Sequence, residues 1–154
     1  QRQMCIRDRI WAVLRLCGRL EMRMKMHFDV PRPIHAGPDL QPVIQTPGHG
    51  SWPSGHATEA FAVAAVFAAL QSPGPLDVAQ LVADRAPVMR LAARIAVNRT
   101  VAGVHYPSDS MAGAVLGLAI GETVANWLAG ESVTGAHAFD GAAWHGDFAL
   151  AALE

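Results

Sequence analysis

The chain has 154 residues, the size of one domain built around one hydrophobic core. Hydrophobic residues make up 51%, charged residues only 16%, and the formal net charge is −1, which excludes the basic footprint of a nucleic-acid-binding surface. The two cysteines, Cys5 and Cys17, form neither a disulfide framework nor a CxxC pair.

The chain opens on Gln1, and residues 1–8 carry no interpretable pattern. They are expected to be disordered or extraneous, with the true N-terminus truncated and an earlier segment or signal peptide missing. Residues 9–28 contain no proline and intersperse apolar residues with arginines at helical spacing, which predicts an amphipathic helix. Residues 29–52 hold Pro31, Pro33, Pro38, Pro42 and Pro47 together with Gly37, Gly48 and Gly50, which predicts a long loop. Loops of this length are usually functional or disordered.

A second helix is predicted over 53–70, with Pro53 in its first turn. Beyond Glu59 it is apolar on every side, which predicts burial at the centre of the domain. SPGP at 72–75 ends it. A third helix is predicted from 76 to 101, broken or kinked near Pro87, with Leu81, Val88, Leu91, Ile95 and Val97 on one face. Pro107 opens a fourth, reaching to 129. Along it Asp109, Gly113, Gly117, Gly121, Ala125 and Ala129 recur every fourth position, a ridge of mostly small residues that lets another helix come close. In lipid the same ridge would signal dimerisation. However, residues 60–70 are too short to span a bilayer, and 110–130 contain Glu122, Asn126 and several glycines, so no segment is a clear membrane span. The tail from Gly130 suggests no element. The expected fold is all-α, a single-domain bundle of about four to five helices with a long Pro/Gly-rich loop before the PSGH helix.

Three short patterns concentrate the polar chemistry of this charge-poor chain. They are KMHFDVPRP, with Lys25 and Arg32; PSGH, residues 53–56; and NRTVAGVHYPSD, with Arg99, His105 and Asp109. Arginine presents a planar fork of donors suited to phosphate oxygens, and lysine a point charge. Ser54 adds a hydroxyl. The Gly55 amide lies at a helix N-terminus, where free N–H groups and the dipole favour an anion. Asp109, one turn after His105, can accept from one imidazole nitrogen and leave the other free to attack. His56 is then available as general acid. Each pattern alone is common; together they offer five donors to a tetrahedral oxyanion and two imidazoles to act on it.

Taken in order, these segments resemble the superfamily of type 2 phosphatidic acid phosphatases, bacterial non-specific acid phosphatases and vanadium-dependent haloperoxidases. Its pattern is Lys-x6-Arg-Pro, Pro-Ser-Gly-His and Ser-Arg-x5-His-x3-Asp, here spanning residues 25–109, with Asn98 in place of the serine. The resemblance implies a helical bundle in which His105 becomes phosphorylated, Asp109 orients it and His56 protonates the leaving group. Lys25, Arg32, Ser54, Gly55 and Arg99 would hold the phosphoryl oxygens, and the scheme needs neither metal nor cofactor. The implied substrate is a phosphorylated small molecule or lipid. The implied location is periplasmic or membrane-associated in a bacterium, with membrane contact and oligomers both compatible.

The haloperoxidase branch implies an alternative in which vanadate occupies the same site, coordinated by His105. His49, seven residues before His56, matches a histidine of bromoperoxidases and is otherwise read as a solvated or substrate-facing loop residue. A further alternative is a truncated, non-catalytic helical domain with a vestigial anion site. A zinc hydrolase lacks its ligand spacing here, and a serine hydrolase through Ser54 lacks the Gly-x-Ser-x-Gly elbow.

Overall fold

Uninterrupted runs of helix formers become helices, and proline or glycine marks many of their ends. The computed structural model describes residues 5–37, 39–71, 76–131, 138–141 and 144–153. Among these are five α-helices and no strand: α1 Ile6–Phe28, α2 Gly55–Gln71, α3 Val78–Ala83, α4 Pro87–Val101 and α5 Pro107–Ala129. Short 3-10 turns occupy Pro33–His35 and Leu150–Leu153. The fold is the expected all-α bundle.

The boundaries carry two corrections and one expected break. First, α1 begins at Ile6, inside the stretch for which no structure was expected. Second, Pro53 lies two residues ahead of α2 rather than in its first turn. The break expected near Pro87 is present, and it divides the third predicted helix into α3 and α4. α3 is capped at its start by the Asp77 side chain, which accepts from the Gln80 N–H at 2.9 Å. Arg85 takes φ 50 at the break, and Pro87, lacking an N–H, starts α4 where it needs no partner. The SPGP break at 72–75 lies outside the described residues.

α2 runs through the centre and packs on α5, α4 and α1. Its Phe61, Ala62, Ala65 and Val66 are fully buried. Burying a side chain such as Phe61 or Val66 contributes about 1.5–3 kcal/mol. The small-residue ridge of α5 faces α2 directly. A Cβ on Gly113 would lie 2.5 Å from the Ser54 carbonyl oxygen, and one on Gly117 2.4 Å from that of Thr58. The ridge therefore serves packing within the chain, and it ends at Ala125, because Ala129 is exposed. By length and composition α5 could cross a membrane, and half of its most apolar window is buried inside the bundle.

The face predicted for α4 is corrected. Its buried residues are Met89, Ala92, Ala93 and Ala96, whereas Leu91 is 59% exposed and Val97 37%. Alanines let α4 approach α2 closely, which turns the bulkier Val88, Leu91 and Ile95 toward an open groove beside α2. The described part of the tail docks on the core. Phe148 is buried, with its ring edge-to-face on Phe61 at 6.2 Å.

The long loop is tied down at several points. Ser51 N–H donates to the Val30 carbonyl at 2.8 Å, and Val43 N–H to the Ala102 carbonyl at 3.1 Å. Gly50 sits where a Cβ would lie 3.0 Å from the Lys25 carbonyl oxygen, so the loop closes directly onto the end of α1. These ties bring Arg32 and His49 to the start of α2.

Candidate active site

α1 carries Lys25 inward in its last turn, where it is 2% exposed. Its ammonium donates to the carbonyls of Ser51, at 3.2 Å, and Pro53. Burial, and next the charge of Arg32, lower its pKa to about 8, against the opposing pull of Glu21 and Asp109.

Arg32 is 3% exposed and organises the loop. Its Nε donates to the His49 carbonyl at 3.1 Å, Nη1 to the Val104 carbonyl at 2.8 Å and Nη2 to the Gly50 carbonyl at 3.2 Å. Nη1 also lies 3.1 Å from His105 Nε2, and Nη2 3.2 Å from His49 Nδ1. Five contacts from one planar fork explain why a lysine could not replace it.

His105 stands just before α5, with Asp109 one turn later at the helix start. Asp109 Oδ2 lies 3.0 Å from His105 Nδ1 and accepts the Tyr106 N–H at 2.9 Å. An acceptor at Nδ1 places the imidazole proton there and leaves Nε2 unprotonated, its lone pair accepting from Arg32 Nη1 at 3.1 Å. Burial lowers the His105 pKa; the hydrogen bond and charge of Asp109 oppose this, and Arg32 and Lys25 add to it. The ring is therefore held neutral, the form that can attack.

His56 is exposed at the first turn of α2. Desolvation, then the charges of Arg99, Lys25 and Arg32, lower its pKa. Arg99 reaches in from the last turn of α4, and its Nε is buried without a hydrogen-bond partner among the described residues. Ser54 is fully buried and its hydroxyl is likewise unpartnered. Orphaned donors of this kind, beside fixed cations, are the expected signature of an anion site.

One small cavity of about 150 Å³ is lined by Lys25, Arg32, His49, Gly55, His56, Arg99 and His105. Seven of the nine residues singled out from sequence therefore share a wall. Asp109 backs His105 from inside the core. Ser54 adjoins Gly55 in the chain but does not line the cavity. Asn98, the departure from the motif, is exposed on α4 and outside it.

Two carboxylates on the cavity wall were missed: Glu21 and Glu59. Helical spacing could have found both. Glu21 lies four residues before Lys25 on α1, and Glu59 four after Gly55 on α2. Burial, then the charge of Glu59, raise Glu21 to about 7 against the pull of Lys25, and burial raises Glu59.

The Lys25 shift makes a pH prediction. A folded pKa of about 8, below the ordinary 10.5, means the unliganded fold carries the cost of a buried charge below about pH 8 and sheds it as pH rises toward 10.5. An oxyanion held by Lys25 needs that charge, so the Lys25 contribution to binding is full only well below about pH 8 and falls as pH rises through it. Phosphate is expected to raise Tm more at about pH 7 than at about pH 9.5. An equal shift at both would remove Lys25 from the anion's contacts.

Compared with known proteins, residues 10–132 match the family model described as PAP2 superfamily, a stretch that contains every residue of the cavity. A search of curated proteins finds no match.

Proposed function

This chain belongs to the PAP2 superfamily, and from that premise we propose that it is a metal-independent phosphatase acting on a phosphomonoester or diphosphate through a phosphohistidine. The observation that carries the reading is the His105 arrangement: Nδ1 held by Asp109 at 3.0 Å, Nε2 against Arg32 Nη1, and the residue lining a cavity with Lys25, Arg32 and Arg99.

The phosphoryl group enters with its oxygens toward Lys25, Arg32, Arg99 and the Gly55 amide, which draws Arg32 Nη1 off Nε2 and onto an oxygen. His105 Nε2 attacks phosphorus in line, the bond to the leaving oxygen breaks, and His56 gives that oxygen its proton. Water, deprotonated by His56, then cleaves the phosphorus–nitrogen bond and releases phosphate. Preorganised donors stabilise the charge that builds on the equatorial oxygens. The charges of Arg99, Lys25 and Arg32 that depress His56 are those a bound phosphate offsets, so substrate binding itself favours the protonated, acid form.

His56 also lines the groove formed with Leu14, Val63, Phe67, Leu91 and Ile95. The leaving group emerges beside His56, which supports an apolar or aromatic alcohol as that group.

One observation favours a second reading, vanadate-dependent halide oxidation: His49 lines the cavity and contacts Arg32. The unpartnered Arg99 Nε, on a residue that lines the cavity, fits a resident tetrahedral oxyanion as well as a transient one. Vanadate, when bound, supplies peroxide activation; Lys25, Arg32, Arg99 and His105 would hold it.

The deciding experiment measures p-nitrophenyl phosphate hydrolysis and, with orthovanadate and peroxide, bromide oxidation on one preparation. The phosphatase reading expects hydrolysis and a phosphohistidine trapped at His105 by mass spectrometry. Bromide oxidation without hydrolysis would overturn it in favour of the second reading, and neither activity would favour a vestigial site.

A further inference from the structure

Glu21 has no place in the mechanism above, yet it stands inside the site. Its two carboxylate oxygens each lie 2.7 Å from the point a Cβ on Gly55 would occupy. The absent side chain of Gly55 thus leaves room that the Glu21 carboxyl fills, beside the N-terminus of α2 where an anion is to be held. Oε2 is buried and has no hydrogen-bond partner among the described residues. A buried carboxylate oxygen without a donor is costly. The same oxygen, protonated, becomes a donor on a residue that lines the cavity read as an oxyanion site.

We propose that Glu21 is a proton-dependent contact of the oxyanion: as a carboxylic acid it donates a hydrogen bond to the bound anion, and as a carboxylate it repels it. The proposal rests on reading this cavity as an oxyanion site and adds a sensor of pH to it. The groups around Glu21 account for its behaviour. Lys25 on α1 favours its charge and Glu59 on α2 opposes it. His56 from α2, Arg32 and His49 from the loop, Arg99 from α4 and His105 from the start of α5 line the same wall, with Asp109 behind His105. Burial outweighs Lys25, and the carboxyl titrates at about 7. The sign follows: the anion-binding form is populated below that pH and lost above it.

The test is calorimetric titration of the whole chain with sulfate, a dianion at every pH used, between about pH 6 and 7.5, where Lys25, titrating at about 8, gives up only about a quarter of its charge. If only the protonated form binds, the competent fraction falls about fourfold across this window, and the dissociation constant rises by the same factor. Glu21→Gln, a permanent neutral donor, is expected to lose this fourfold fall and to keep only the weaker pH dependence that His56 and Lys25 bring. Parallel pH profiles in the two proteins would overturn the role of Glu21 while leaving the oxyanion site standing. A second measurement needs no variant. Sulfate binding at about pH 7 should take up about half a proton, read from the dependence of binding heat on buffer. No uptake overturns the proposal. Sulfate that binds neither protein at any pH overturns the oxyanion site itself, and this inference with it.

Discussion

Replacing His105 by alanine is expected to abolish p-nitrophenyl phosphate hydrolysis, with a loss of at least about 10⁴-fold, while the protein still folds and still binds phosphate. The nucleophile disappears, and of the two other imidazoles on the cavity wall neither is backed by a carboxylate as His105 is: His56 is exposed, and His49 is exposed on the loop with its Nδ1 against Arg32 and the Gly50 carbonyl. The contacts around His105 survive its removal. Asp109 Oδ2 keeps the Tyr106 N–H at 2.9 Å, and Arg32 keeps the carbonyls of Val104, Gly50 and His49. Loss of activity in a protein with a near-normal melt therefore reports chemistry rather than unfolding. Steady-state hydrolysis, a thermal melt with and without phosphate, and mass spectrometry of acid-labile phosphate together check it. Wild-type turnover in the variant would remove His105 from the reaction.

Gly117→Ala is expected to lower stability by about 2–3 kcal/mol, although alanine is the better helix former by about 1 kcal/mol. The new Cβ would lie 2.4 Å from the Thr58 carbonyl oxygen and 3.0 Å from Phe61 Cβ. The nearest of these atoms is backbone, so no rotamer relieves the clash, and α2 must move away from α5. For a chain of this size the expected fall in Tm is roughly 5–10 °C. Gly18→Ala is the control, because nothing lies within 4 Å of a Cβ there and propensity alone acts. A thermal or urea melt of both variants decides between steric and conformational effects. A Gly117→Ala protein as stable as wild type would mean that α2 and α5 do not pack at this distance.

Much of the architecture was legible because its causes are local. Pro107 and Gly130 bracket α5, Gly130 taking φ 81 at the cap, which glycine adopts without strain. The spacing of Gly113, Gly117 and Gly121 announced a close helix contact, since a stripe without side chains has few other uses. The orientation of α4 was not legible. Its bulky and small residues both recur at helical spacing, and which stripe turns inward depends on how near α2 can come. Alanines at 92, 93 and 96 allow the closer approach, so the larger residues line the groove. Nor could the tail be read, because Phe148 earns its burial only against a Phe61 that is 87 positions away (148 − 61).

The same division runs through the site. The amino-acid sequence by itself determined which side chains could serve an oxyanion: three cations, a glycine amide at a helix start, and a histidine with a carboxylate one turn later. Those are properties of residue type and short-range spacing. Only the tertiary structure decided that Lys25, Arg32, Arg99 and His105 share one wall, that Arg32 covers His105 Nε2 in the resting state, and that Glu21 stands over Gly55. Convergence of separate segments is set by packing, and burial then fixes the charge on Glu21, Lys25 and His105. Desolvation acts through whatever surrounds a group in space, and no stretch of chain carries that information alone.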